Sequence, residues 1–146
     1  MKFNEFKVGQ ILHAGPYKMR EDEILEFAKK YDPQWFHTEP ELAKSGPFSG
    51  LISSGWHTCC IAMHLLAETI LKGSESSGSP GLAYVKWPFP VRPGDELMLQ
   101  VTVLEIRRSN SKPNTGIVRW KWQLISASNI EVLDLEATSF FDLTPK

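Results

Sequence analysis

Gly55-Trp56-His57-Thr58-Cys59-Cys60-Ile61-Ala62-Met63-His64-Leu65-Leu66-Ala67-Glu68-Thr69-Ile70-Leu71 decides the fold of this chain. It is the longest segment with helical periodicity. Trp56, Cys59, Cys60, Met63, Leu66, Ala67 and Ile70 define an apolar side, and Ala62, Leu65 and Leu71 widen it. A helix apolar over most of its circumference is a buried helix. After it the period changes from helical to two. Four segments, 81–89, 95–107, 116–127 and 130–142, read as strands. Leu97, Leu99, Val101 and Val103 share one face of the second, as do Val118, Trp120, Trp122 and Leu124 of the third and Leu133, Leu135, Ala137 and Phe141 of the fourth. The segments between them, Arg92-Pro93-Gly94-Asp95, Ser109–Thr115 and Ser128-Asn129, carry turn chemistry, and Pro93-Gly94-Asp95 reads as a hairpin turn. One buried helix followed by antiparallel strands implies an α+β fold, a curved sheet wrapped on the helix.

On the N-terminal side, residues 10–20 read as a first strand or strand pair, broken at Gly15-Pro16. Residues 21–31 read as a helix: Ile24, Phe27, Ala28 and Tyr31 fall at helical spacing, and Glu21, Asp22 and Glu23 crowd the first turn, where negative charge is favoured. Pro33 stops that helix, so residues 32–38 are expected to form a turn or loop. Pro40–Lys44 suits a short helix with proline at an early position. Residues 45–50 read as a loop, and Gly73–Pro80 as a flexible connector.

The 146 residues suit one domain, 1–146, with one core. The net charge is −1 and no Lys/Arg block stands out, so the electrostatic footprint of a nucleic-acid binder is missing. No apolar run approaches the length of a membrane span, and residues 1–7 lack a signal-peptide core. The only cysteines, Cys59 and Cys60, are adjacent on the helix and point apart, which favours a reducing, cytoplasmic setting. The four histidines, 13, 37, 57 and 64, form no metal-ligand spacing.

The chemistry concentrates in Tyr31-Asp32-Pro33-Gln34-Trp35-Phe36-His37-Thr38-Glu39-Pro40. A carboxylate and an imidazole five residues apart, across a proline turn, can converge on one water. Taken by themselves, Asp32 reads more readily as a cap on local N–H groups at the end of a helix, and His37 as a partly exposed loop histidine. Eighteen residues on, the start of the long helix at Gly55 offers unpaired N–H groups and a positive dipole end. Ser53 or Ser54 reads as an N-cap rather than a nucleophile, since no Gly-x-Ser-x-Gly motif is present and no second acid/base pair stands beside either. His57 reads as a packing residue.

Four segments together resemble the MaoC-like dehydratases, which include the (R)-specific enoyl-CoA hydratases: Ile24–Ala28, Asp32–His37 followed by Thr38–Ala43, Phe48–Gly55, and Phe89–Asp95. The resemblance covers nearly the whole chain. It implies a hot-dog fold, at least a homodimer with the active site near the subunit boundary, and no metal or redox cofactor, with coenzyme A as part of the substrate. It carries Asp32 and His37 as the catalytic pair and Gly55 as the N–H donor to a thioester carbonyl. Gln34, Trp35 and Ser54 stand where the family has Asn, Pro and His. With Phe48 and Trp56 they are the candidate substrate-binding residues. The expected activity is addition of water to a trans-2-enoyl thioester. The alternatives are a hot-dog thioesterase, disfavoured because the only acidic residue of the central helix is Glu68, near its far end, and a non-catalytic acyl-thioester-binding module.

Overall fold

The computed structural model describes all 146 residues. A 3-10 turn, Phe3–Glu5, leads into β1 (Ile11–Lys18). Then follow α1 (Glu21–Tyr31), α2 (Trp35–Thr38), α3 (Pro40–Ala43), α4 (Gly55–Thr69), β2 (Ser76–Lys86), β3 (Glu96–Arg108), β4 (Thr115–Ser126) and β5 (Glu131–Asp142). All five strands join one sheet in the order β1-β3-β4-β5-β2, and every pairing is antiparallel. The alternation read from the sequence is the alternation of burial. Leu97, Leu99, Val101 and Val103, with Val118, Trp120, Leu124, Leu133 and Leu135, are almost wholly buried in one core cluster that also takes in Ile61, Ala62, Leu65 and Leu66 of α4. Fully burying such a side chain contributes about 1.5–3 kcal/mol, so the concave face of the sheet and one side of α4 hold each other.

Four readings need correction. First, residues 35–38 are not irregular: α2 is one helical turn, and His37 lies within it. Pro33 ends α1, yet the backbone re-enters the helix two residues later, because a proline constrains itself and the residue before it but not those that follow. Second, Gly73–Pro80 is not simply a connector. β2 begins at Ser76 and pairs with β5, Ser76 opposite Phe141. The glycines and serines that suggested a linker occupy a sheet edge, where side chains have little to pack on. Third, the buried side of α4 consists of His57, Thr58, Ile61, Ala62, Leu65 and Leu66, whereas Trp56, Cys60 and Met63 are exposed. The helix is apolar nearly all round, so its pattern gave no unique orientation. Fourth, Pro93-Gly94-Asp95 is not a hairpin turn, since β2 and β3 are not neighbours. It is bound instead to the chain after β1, through Gly94 N–H to the Met19 carbonyl at 2.7 Å and Met19 N–H to the Asp95 carbonyl at 2.8 Å.

Residues 10–20 form one strand rather than two, with a register shift between Ala14 and Tyr17. No helix is long and apolar enough to cross a membrane.

Candidate active site

The site is assembled where three segments meet: the end of α1 with α2, the extended run Leu51–Ser54 that enters α4, and the Trp87–Val91 stretch after β2. The run into α4 is fixed on both sides. Ile52 N–H donates to the Phe36 carbonyl at 3.2 Å, and Ser53 N–H donates to the Val91 carbonyl at 2.8 Å. A cavity of about 310 Å³ opens between them, lined by Asp32, His37, Phe48, Gly55, Trp56 and Trp87 among others.

Asp32 and His37 face each other, with Asp32 Oδ2 3.3 Å from His37 Nε2. His37 Nδ1 lies 2.8 Å from the Ile52 carbonyl oxygen. A carbonyl only accepts, so Nδ1 carries a ring proton there, and Nε2 is the nitrogen turned toward Asp32. The two groups are thus in direct contact, and both face the cavity, where a water beside them is within reach of the pair. Asp32 receives two further hydrogen bonds, from Ser54 Oγ to Oδ2 at 2.6 Å and from Gln34 Nε2 to Oδ1 at 2.7 Å. Burial pushes the Asp32 carboxyl upward. The Ser54 and Gln34 hydrogen bonds, and the charge that His37 carries when protonated, outweigh it and hold the group below the ordinary aspartate value. Asp32 is thus anionic at neutral pH.

The start of α4 supplies the complementary charge. The first N–H used inside the helix is that of Thr58, bonded to the Ser54 carbonyl at 3.1 Å, which leaves those of Gly55, Trp56 and His57 for other partners. Gly55 sits under the indole of Trp87, whose Nε1 donates to the Gly55 carbonyl at 2.9 Å. Trp56 and Trp87 meet edge to face, with centroids 5.4 Å apart.

The other candidate residues separate. Phe48 and Trp56 line the cavity with the pair. Gln34 and Ser54 bind the Asp32 carboxylate instead of forming cavity wall. Ser54 occupies the N-cap position of α4, yet its hydroxyl makes no capping bond; it is wholly buried against Asp32. Trp35 lies elsewhere, in a shallow hollow with Leu42, Ser45 and Gly46. Trp87 was missed as a cavity residue; it lies in the 81–89 segment read as a strand, whereas β2 ends at Lys86 and Trp87 follows it. A second imidazole–carboxylate pair was also missed. His57 Nε2 is 3.8 Å from Glu23 Oε1, and His57 Nδ1 is 3.3 Å from Ser53 Oγ. Glu23 lies 34 positions before His57, too far apart for spacing to join them. No group of three or more His, Cys, Asp or Glu is arranged to hold a metal ion.

The sequence pattern of the MaoC like domain matches residues 4–121, and the chain belongs to that family. It is 35% identical to the protein named Uncharacterized protein YdeM of Bacillus subtilis, over 72% of this chain and 74% of that one. It is 34% identical to 3-hydroxyacyl-thioester dehydratase Z of Mycobacterium tuberculosis, over 62% of this chain and 60% of that protein's length. The crystal structure of the MaoC-like dehydratase from Rhodospirillum rubrum superposes with a TM-score of 0.88 at 33% identity, covering 98% of this chain and 97% of that one. The fold is the α+β hot-dog fold, with an open five-stranded sheet.

Ser54 gives the first testable consequence. Ser54→Ala removes a donor to a carboxylate and is expected to cost about 1–2 kcal/mol and to raise the Asp32 pKa. The depressed value of wild-type Asp32 contributes stability that is present above the ordinary aspartate value and lost as pH falls through the folded one. The variant's acid unfolding midpoint should therefore move to higher pH, read by tryptophan fluorescence across an acid titration. An unchanged midpoint would mean that the 2.6 Å bond does not hold the charge.

Proposed function

We propose that this protein is a hydro-lyase that reversibly adds water to a trans-2-enoyl thioester, coenzyme A-linked, to give a 3-hydroxyacyl thioester. The observation that carries the reading is the convergence of Asp32 Oδ2 and His37 Nε2 at 3.3 Å on one cavity wall, with the Gly55 end of α4 in the same cavity. With the His37 ring neutral, Nε2 takes one proton from a water bound beside the pair as the water's oxygen attacks the β-carbon. Asp32 stabilises the resulting imidazolium. Electron density moves through the conjugated system to the thioester oxygen, where the Gly55 N–H and the helix dipole offset the developing charge. The imidazolium then delivers its proton to the α-carbon, the oxygen's charge returns to the thioester, and both hydrogens of the water are accounted for. No metal or redox cofactor enters.

A second, largely apolar cavity of about 470 Å³ adjoins the first across Trp56 and is lined by Cys59, Met63, Leu82, Trp122 and Leu135. It offers room for an acyl chain. Beside it runs β2, a sheet edge rich in Gly and Ser, with Leu82, Trp56 and Met63 exposed nearby. A second copy of this chain, paired along that edge, would cover them, in keeping with a homodimer. The thioesterase reading gains nothing: Glu68, the one acid of α4, is exposed and paired with Lys72 at 3.6 Å.

The test is turnover on a panel of short, medium, branched and aromatic enoyl-CoAs. The enoyl-thioester absorbance should decay to a hydration equilibrium without free thiol. Thiol release would favour hydrolysis, and binding without turnover across the panel would favour the non-catalytic module.

A further inference from the structure

The Ser53 hydroxyl has one proton and two acceptors within reach. One is the Ser54 carbonyl oxygen at 3.2 Å, and the other is His57 Nδ1 at 3.3 Å. Ser53 is buried, and it lines the cavity beside Gly55. The Ser54 carbonyl belongs to the same peptide unit as the Gly55 N–H. A donor on that oxygen draws electron density away from the peptide nitrogen and makes its N–H a stronger donor, the cooperative effect seen along hydrogen-bonded chains. Thr58 loads the same oxygen twice, through its N–H at 3.1 Å and its hydroxyl at 3.3 Å.

His57 competes for the Ser53 proton. Its ring is buried and stacked on Phe27, with centroids 4.7 Å apart and planes 10° from parallel. Its Nε2 faces the Glu23 carboxylate at 3.8 Å, and Glu23 also accepts the Tyr17 hydroxyl proton. A carboxylate on that side favours the tautomer protonated at Nε2, which leaves Nδ1 as the bare acceptor toward Ser53.

We propose that Ser53 is a positioning residue for the thioester-binding N–H, acting through the Ser54–Gly55 peptide, and that His57, oriented by Glu23, limits its effect by sharing the Ser53 proton. The proposal rests on the role given above to Gly55. It makes Ser53 and His57 act in opposite directions, which general loosening of the helix start would not do.

The experiment is isotope-edited infrared spectroscopy of a saturated acyl-CoA, labelled at the thioester carbonyl and bound to the protein, beside steady-state hydration kinetics. In the wild type the bound carbonyl band should lie below its position in free solution. Ser53→Ala should move it back toward the free position and lower kcat roughly 3- to 10-fold, with KM changed less than about twofold, because the interaction grows in the transition state. Ser53→Thr should restore both. His57→Phe, which keeps the stack on Phe27, should leave the band at or beyond its wild-type displacement. The proposal falls if Ser53→Ala leaves the band in place, or if the Ser53 and His57 variants both move it toward the free position. No displacement in the wild type, or no binding of the thioester, would remove the role of Gly55 and this proposal with it.

Discussion

Asp32→Asn is expected to lower hydration kcat by about 10²–10⁴-fold, the range for a disabled acid–base pair, with a modest fall in melting temperature from loss of the hydrogen-bonded charge. Asparagine preserves the shape and can still accept from Ser54 through its oxygen. Its amide would face Gln34, now bonded to Oδ1 at 2.7 Å, and a turn of the Gln34 amide presents oxygen in place of nitrogen. The fold therefore accommodates the change. The chemistry does not, because a neutral amide cannot stabilise the imidazolium that forms on His37. His37→Ala should lose a comparable factor by removing the base itself, and the double variant should be scarcely worse than either single one, since the two groups act on one water. Enoyl-thioester absorbance measures the rates, and thermal melts control for folding. Near-wild-type turnover in the Asp32 variant would sink the mechanism.

The parts of the structure legible in the sequence are those where one local pattern had one physical solution. β3, β4 and β5 alternate because one face of each is core, and their inward residues were read one by one. Acidic residues in the first turn and Pro33 bounded α1 closely. The readings that failed were degenerate. α4 is apolar all round, so periodicity could not say which side meets the sheet, and Trp56, Cys60 and Met63 proved to be the outer side. The Gly/Ser run at 73–80 satisfies a linker and an edge strand equally well, and only pairing with β5 decides between them. At the site, Asp32 and His37 could be proposed as partners because five residues separate them and the family pattern singled them out. Trp87 and Glu23 could not: each reaches its place through the tertiary fold, Trp87 from 32 residues beyond Gly55 and Glu23 from the opposite flank of α4. Ser54 was placed correctly at the helix start but for a different purpose, since its hydroxyl serves Asp32 and not the helix cap.

Gly55→Ala is expected to reduce hydration kcat/KM by about 10²-fold or more, although alanine retains the backbone N–H. The loss would come from space. A Cβ at residue 55 would stand 2.5 Å from Trp87 Cε2 and 2.8 Å from Trp87 Nε1. These atoms belong to a rigid indole whose Nε1–H is bonded to the Gly55 carbonyl at 2.9 Å, so relief requires the whole ring to move. Trp87 lines the cavity beside Asp32 and His37 and packs edge to face on Trp56, and its displacement changes the wall against which the proposed thioester would lie. The effect on stability should be small, because two contributions oppose each other. Overpacking costs about 1–3 kcal/mol, and alanine in place of glycine in a helix returns up to about 1 kcal/mol. The signature is thus a large fall in activity with a modest shift in melting temperature. Trp87→Leu combined with Gly55→Ala separates the two contributions to that fall. If ring displacement dominates, the double variant recovers part of the lost rate. If it remains as slow as Gly55→Ala, the added methyl itself blocks the thioester. Full activity in Gly55→Ala would show that the carbonyl is bound at some other point in the cavity, and the assignment of the helix start as the oxyanion-stabilising group would have to be abandoned.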